Sequence, residues 1–108
     1  MRTFPKELRR ALKALGDDVN AKIVSILADE EMHFSDLMAK LGTSQVPLMK
    51  EELISHLKEL ISAGLIDNFS RGGITDYETS YYRLTEYGRD LIFGIYEAFH
   101  RAIGLREA

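Results

Sequence analysis

Residues 41–66 read LGTSQVPLMKEELISHLKELISAGLI. Within that run Leu53, Leu57, Leu60 and Ile61 recur at helical spacing, so one face of the segment is apolar and asks to be buried. At about 100° per residue, Glu51, Ser55, Lys58, Glu59 and Ser62 fall on the opposite side and face solvent, with Ile54 and His56 on the flanks. Pro47 suits a first helical turn and Gly64 a stop, which predicts a helix over 47–63. The open face is polar yet short of positive charge. Across the run the bases are Lys50 and Lys58, and the acids are Glu51, Glu52 and Glu59.

Upstream, PKELRRALKALG carries Leu8, Ala11, Leu12 and Leu15 at i, i+3, i+4 and i+7, predicting a helix over 5–15 that Gly16 ends. Asp17 or Asp18 can cap the next helix, over 18–29, with Val19, Ile23, Ile26 and Leu27 as its apolar face. Residues 32–34 have room for only a very short strand. Ser35 is placed to cap a helix over 35–41 that carries Leu37, Met38 and Leu41 and stops at Gly42.

Downstream the period changes. LIDNFS and YETSYYRL are short stretches rich in aromatic and β-branched residues, joined through RGGITD, and adjacent glycines between such runs signal a hairpin, over about 65–84. Thr85 can cap a final helix over 86–104, with Leu91, Ile92, Ile95, Tyr96, Phe99, Ala102 and Ile103 along one side. That stripe is richer than one small domain can cover. With Leu8, Leu12 and Leu15 it suits a helical layer between two subunits, the alternative being pairing of the first and last helices within one chain. No repeat, low-complexity tract or linker divides the sequence, so residues 1–108 read as a single domain.

Composition narrows the function classes. The chain has 108 residues, a formal charge of −3 and no cysteine, which removes disulfides, thiolate metal sites and cysteine nucleophiles. The charge is uneven: residues 1–16 sum to +4 and residues 17–36 to −5. Arg9, Arg10 and Lys13 lie off the leucine stripe and should be exposed, either to meet an anion or, as the reading preferred here, to pair with the acidic 17–36 block of the same or a partner chain. No secretory leader or membrane-spanning run is legible, which points to a cytoplasmic address without a membrane partner. No phosphate-cradling loop or paired carboxylate with a base implies an enzyme, and no cofactor is implied. Glu97 and His100, with Asp90 nearby, have two of the ligands a metal would need, and a surface histidine explains them more simply.

The order helix, helix, short strand, helix, helix, hairpin, helix is that of a winged helix-turn-helix. Over roughly 15–92 the sequence also resembles transcriptional regulators of the ArsR/MarR type, through FSDLMAKLGTSQ (34–45), SHLKELISAGLI (55–66) and YYRLTEYGRDL (81–91). The resemblance implies a mostly α fold with a small β-hairpin, and a homodimer on a pseudo-palindromic operator in double-stranded DNA. Most such proteins are repressors. The helix over 47–63 would enter the major groove, and the wing, about 70–76, would reach the flanking backbone or minor groove.

On that reading Ser44, Gln45, Lys50, Ser55, Lys58, Ser62 and Arg71 are the candidate DNA contacts. Hydroxyls and amides can bond base edges, a lysine can meet guanine or phosphate, and a guanidinium at the wing can enter the minor groove. Two features depart from the family. The segment between Ser44-Gln45 and His56-Leu57 is longer than its usual tight turn, and the cysteine motif of its metal-sensing members is absent. The rival reading is a winged helix given over to protein–protein contact, which suits an acidic helix face.

Overall fold

A computed structural model describes residues 3–42, 48–72 and 76–107. Ser44, Gln45 and Pro47 lie outside them. The elements run α1 (Lys6–Leu15), α2 (Asp18–Asp29), β1 (Met32–His33), α3 (Phe34–Leu41), α4 (Lys50–Ser62), β2 (Ile66–Phe69), β3 (Tyr81–Leu84) and α5 (Glu86–Glu107). This is the expected mostly α winged helix-turn-helix. Its hairpin is extended to three antiparallel strands in the order β1-β3-β2, because β1 pairs Met32 with Tyr82 and His33 with Tyr81. Among the described residues no helix is long and apolar enough to cross a membrane.

Local chemistry explains most boundaries. Asp17 caps α2 by accepting from the backbone N–H of Val19 and Asn20 at 2.9 and 3.0 Å. α4 ends in a left-handed glycine: Gly64 has φ 77°, Leu65 N donates to the Leu60 carbonyl and Gly64 N to that of Ile61. This is the Schellman arrangement, which satisfies the orphan carbonyls of the last turn. Thr85 caps α5 as expected, its hydroxyl accepting from Gly88 N at 2.9 Å while donating to the Gly64 carbonyl at 2.6 Å. The two caps therefore share one junction.

Five expectations shift. α3 starts at Phe34, and its cap is His33, whose Nδ1 accepts from Ser35 N at 3.1 Å; Ser35 is already inside the helix. α4 starts at Lys50, since Leu48 and Met49 are not helical, and α5 continues past 104 to Glu107. The buried face of α2 is Asn20, Ile23, Val24 and Leu27, one step round from the predicted stripe. In α1 the buried residues are Ala11 and Ala14, while Leu12 is 40% exposed. Small alanines let α1 lie close against its neighbours, which turns its leucines aside.

The core is one cluster beneath the sheet. Leu53, Leu57 and Leu60 of α4 meet Ile23 and Leu27 of α2, Leu37 of α3, and Leu65, Ile66 and Tyr82 from the sheet side. Each of these leucines is fully buried and contributes about 2 kcal/mol. Tyr82 stays a neutral phenol, because burial raises its pKa and its hydroxyl donates to the Tyr77 carbonyl at 2.7 Å.

Candidate nucleic-acid interface

With Leu53, Leu57 and Leu60 buried, α4 turns Glu51, Ser55, Lys58, Glu59 and Ser62 outward, as the helical spacing requires, and Ile54 and His56 are half-buried at the flanks. Two of its three acids have structural tasks. Glu52 Oε1 accepts from Met49 N at 3.4 Å and so closes the first turn, where a carboxylate also complements the helix dipole. Glu59 Oε2 accepts from Asn20 Nδ2 at 3.2 Å. Only Glu51 has no such task, although all three carboxylates are exposed and keep their charge, so attraction for a polyanion has to come from bases outside this face.

Asn20 is the residue that pattern reading missed. Its side chain is fully buried and joins three helices. Nδ2 donates to the Ala14 carbonyl at the end of α1, at 2.9 Å, and to Glu59 of α4, while Oδ1 lies 2.9 Å from His56 Nδ1. His56 also stands 3.5 Å from the α2 cap Asp17. Asn20 occupies the first position of the i, i+3, i+4, i+7 register completed by Ile23, Val24 and Leu27, and a polar residue in an apolar register was the available signal.

The wing closes one side of α4. Lys50 Nζ pairs with Glu78 at 3.2 Å, and Lys58 Nζ sits 5.3 Å from the centre of the Tyr77 ring. Both contacts lie on the segment leading into β3, so they fix the wing base against the helix. Asp76 begins that segment by accepting from the backbone N–H and the hydroxyl of Thr79, both at 2.8 Å, which hold its carboxyl below the usual range.

Arg71 departs from the expectation of a free guanidinium at the hairpin tip. It pairs with Glu31 at 2.6 Å and lies over the Tyr81 ring at 4.8 Å. Arg83 points outward as its alternation predicts, bonded to Asp67 at 2.9 Å over the Phe69 ring. The side chains of these pairs are 41–64% exposed, so each pair is weak and a phosphate could displace the carboxylate. Pairing of Arg9, Arg10 and Lys13 with the acidic 17–36 block is not realised within the chain: among the described residues none of the three has an ion pair. Two acids of that block are engaged elsewhere, Asp17 as the cap of α2 and Glu31 with Arg71.

On α5, Phe93, Ile95, Tyr96 and Phe99 are exposed by 41–63%. Ile92, Ile95, Tyr96 and Phe99 face Leu15, Ala21, Val24 and Ser25 across an apolar groove of ≈ 300 Å³. His100 packs against the Tyr96 and Phe99 rings at 4.4 and 5.9 Å. Asp90, Glu97 and His100 are not brought together with further ligands, and among the described residues no group of three His, Cys, Asp or Glu could hold a metal.

No family model and no curated protein matches the sequence. Solved structures do match its fold over nearly the whole chain. HlyU from Vibrio cholerae is 24% identical, with a TM-score of 0.64 over 89% of this chain and 90% of that one. A transcriptional regulator of the MarR family from Enterococcus faecalis is 18% identical, with a TM-score of 0.73 over 99% and 94%. The transcriptional repressor BigR from Xylella fastidiosa is 24% identical, with a TM-score of 0.61 over 86% of each chain. With the Thr85–Gly88 cap, the Gly64 turn and the three-stranded wing sheet in place, the chain has a winged helix-turn-helix fold, shared with these solved structures.

Proposed function

We propose that the protein is a sequence-specific DNA-binding transcriptional regulator, acting in the cytoplasm as a dimeric repressor on a pseudo-palindromic operator. The observation that carries this reading is the open face of α4. Ser55, Lys58 and Ser62 are exposed there, beside a wing anchored to the same helix, in a fold shared with proteins named as transcriptional regulators. In the major groove the two serines would meet base edges and Lys58 a guanine or a phosphate. Lys50 and Arg71 would exchange Glu78 and Glu31 for backbone phosphates, and Ser44 and Gln45, outside the described residues, are further candidate contacts.

The test is fluorescence anisotropy on DNA from upstream of the protein's own gene, with a scrambled duplex beside it, across a salt series. A preference of about a thousandfold with a steep salt slope is expected. Absence of binding at low salt would overturn the reading in favour of a protein partner. Lys58→Glu should weaken binding to all duplexes by roughly tenfold and flatten the salt slope. Unchanged affinity and slope would remove Lys58 from the interface.

The dimer would form through α5, with Leu91, Ile92, Ile95, Tyr96, Phe99 and Ile103 against the partner and Leu8 and Leu12 of α1 beside them. Exposed aromatics of this number are the supporting observation. Charging the centre of the patch with Tyr96→Asp and Phe99→Asp should raise the dimer dissociation constant by about a hundredfold or more, read by sedimentation. A dimer of undiminished strength would place the interface elsewhere.

A further inference from the structure

The positive charge of the molecule is distributed unevenly once contacts are counted. Lys50, Arg71 and Arg83 pair with Glu78, Glu31 and Asp67, and Lys58 lies over Tyr77. The bases of α1 have no such partners among the described residues. At about 100° per residue α1 has three faces: Ala11 and Ala14 toward the core, Leu8, Leu12 and Leu15 to one side, and Lys6, Arg9, Arg10 and Lys13 in one arc on the other. Lys6/Arg10 and Arg9/Lys13 are like charges at i, i+4, which disfavour an isolated helix, and an anion beside them would relieve that repulsion.

That arc looks onto α4. Lys6, Arg9, Arg10 and Lys13 line a cleft of ≈ 500 Å³ whose far wall is Glu59 and Ser62. The cleft adjoins a second hollow of ≈ 540 Å³ that shares Lys6, Arg10 and Ser62, reaches Tyr87 and carries the Glu7 carboxylate on its wall. Ser62 therefore belongs both to the cleft and to the open face of α4. Glu59 is the one carboxylate on the cleft wall, and it is engaged by the Asn20 amide. The wing borders the open face of α4 on the Lys50/Lys58 side, and α1 borders it on the Glu59/Ser62 side.

We infer that α1 is a second DNA-contacting element, whose Lys6, Arg9, Arg10 and Lys13 hold the phosphate backbone along the wall of the groove opposite the wing. The inference rests on the DNA-binding reading and adds to it the source of electrostatic attraction that α4 lacks. From Lys6 to Lys13 the helix rises about 10 Å, the axial length of roughly three phosphates on one strand. The contact carries no sequence information and contributes affinity and salt dependence only.

The experiment needs no operator. Binding of the full-length protein to a labelled mixed-sequence duplex of about 30 bp, two to three helical turns, is measured by anisotropy across a salt series. The variants are Arg9→Gln with Arg10→Gln, the same pair changed to lysine, and Lys22→Gln with Arg101→Gln as a charge-matched control. The first should lower the slope of log K against log salt by about two per protomer, and the lysine pair and the control should leave it near wild type.

A wild-type slope retained by the glutamine pair, while Lys58→Glu still flattens it, would overturn the role of α1 and leave the DNA-binding reading standing. A loss shared equally by the control would also overturn it, as an effect of net charge alone. Dissociation of the dimer in the glutamine pair, seen by sedimentation, would reassign the arc to a partner's acidic 17–36 block. No binding by wild type at low salt would remove both readings together.

Discussion

Gly88→Ala will destabilise the fold by about 3 kcal/mol, a large effect for the addition of one methyl group. The first turn of α5 lies directly on the strand that leaves α4, with Thr85 N donating to the Leu65 carbonyl at 3.0 Å and Gly88 N to the Thr85 hydroxyl at 2.9 Å. A Cβ on Gly88 would overlap the carbonyl carbon and oxygen of Leu65, and its Cα would be only 3.1 Å away. Leu65 is fully buried and ends the Gly64 turn, so backbone has no room to retreat. Relief requires α5 to tilt, which breaks the Thr85 cap and moves the apolar face that the proposed dimer uses.

Gly94→Ala is the control, since nothing lies within 4 Å of a Cβ at that mid-helix position. It should be neutral or stabilise by up to about 1 kcal/mol through helix propensity. Urea unfolding of both variants decides the matter. Equal stabilities would show that the α5–Leu65 junction yields easily, and the physical account of this glycine would be wrong. The same geometry supplies a reason for the Leu-Thr-x-x-Gly run at 84–88: the threonine caps the helix, and the glycine lets the capped turn sit on a backbone carbonyl.

Asn20→Ala should cost about 3 kcal/mol and should also weaken DNA binding by molecules that remain folded. Removal of the amide leaves the Ala14 carbonyl with only the Asp17 N–H at 3.3 Å and His56 Nδ1 with only the Asp17 carboxylate at 3.5 Å, and a buried polar group that loses its better partner costs about 1–3 kcal/mol. It also releases Glu59, which would then stand as an uncommitted carboxylate between the open face of α4 and the basic arc of α1. Asn20→Leu keeps the volume and still loses every hydrogen bond, so it should recover little. Urea unfolding with anisotropy at temperatures where the variant is fully folded separates the two effects. Full affinity in folded Asn20→Ala would show that Glu59 stays out of the interface whether or not it is held. A coupling energy near zero in the Asn20→Ala and His56→Ala cycle would show that the two side chains do not act together.

What could be read without a structure was whatever depends on neighbours along the chain. The 3.6-residue spacing of Leu53, Leu57 and Leu60, a cap at Asp17 or Asp18, the Thr85 cap, the Gly64 stop and the change of period after it place the helices and the wing to within a few residues. From the same spacing Ser55, Lys58 and Ser62 were assigned outward, and they are outward. Errors occur where a local rule had two solutions: His33 and Ser35 can both cap α3, and either the leucines or the alanines of α1 can face the core. Packing chooses the alanines, because only a small side chain allows the close approach that buries Ala11 and Ala14.

The charges could not be interpreted in the same way. A glutamate's effect on a polyanion depends on where its carboxylate is fixed, and the partner that positions Glu59 is Asn20, 39 residues earlier. Likewise Arg71 meets Glu31 across 40 residues, while the bases of α1 meet no carboxylate among the described residues although acids follow them closely in sequence. The sequence by itself determined the succession of elements and the outward faces of its helices, since both follow from the geometry of a few consecutive residues. Only the tertiary structure decided which charges are neutralised and which remain open, since a Coulomb interaction depends on distance through space and burial, neither of which follows from separation along the chain.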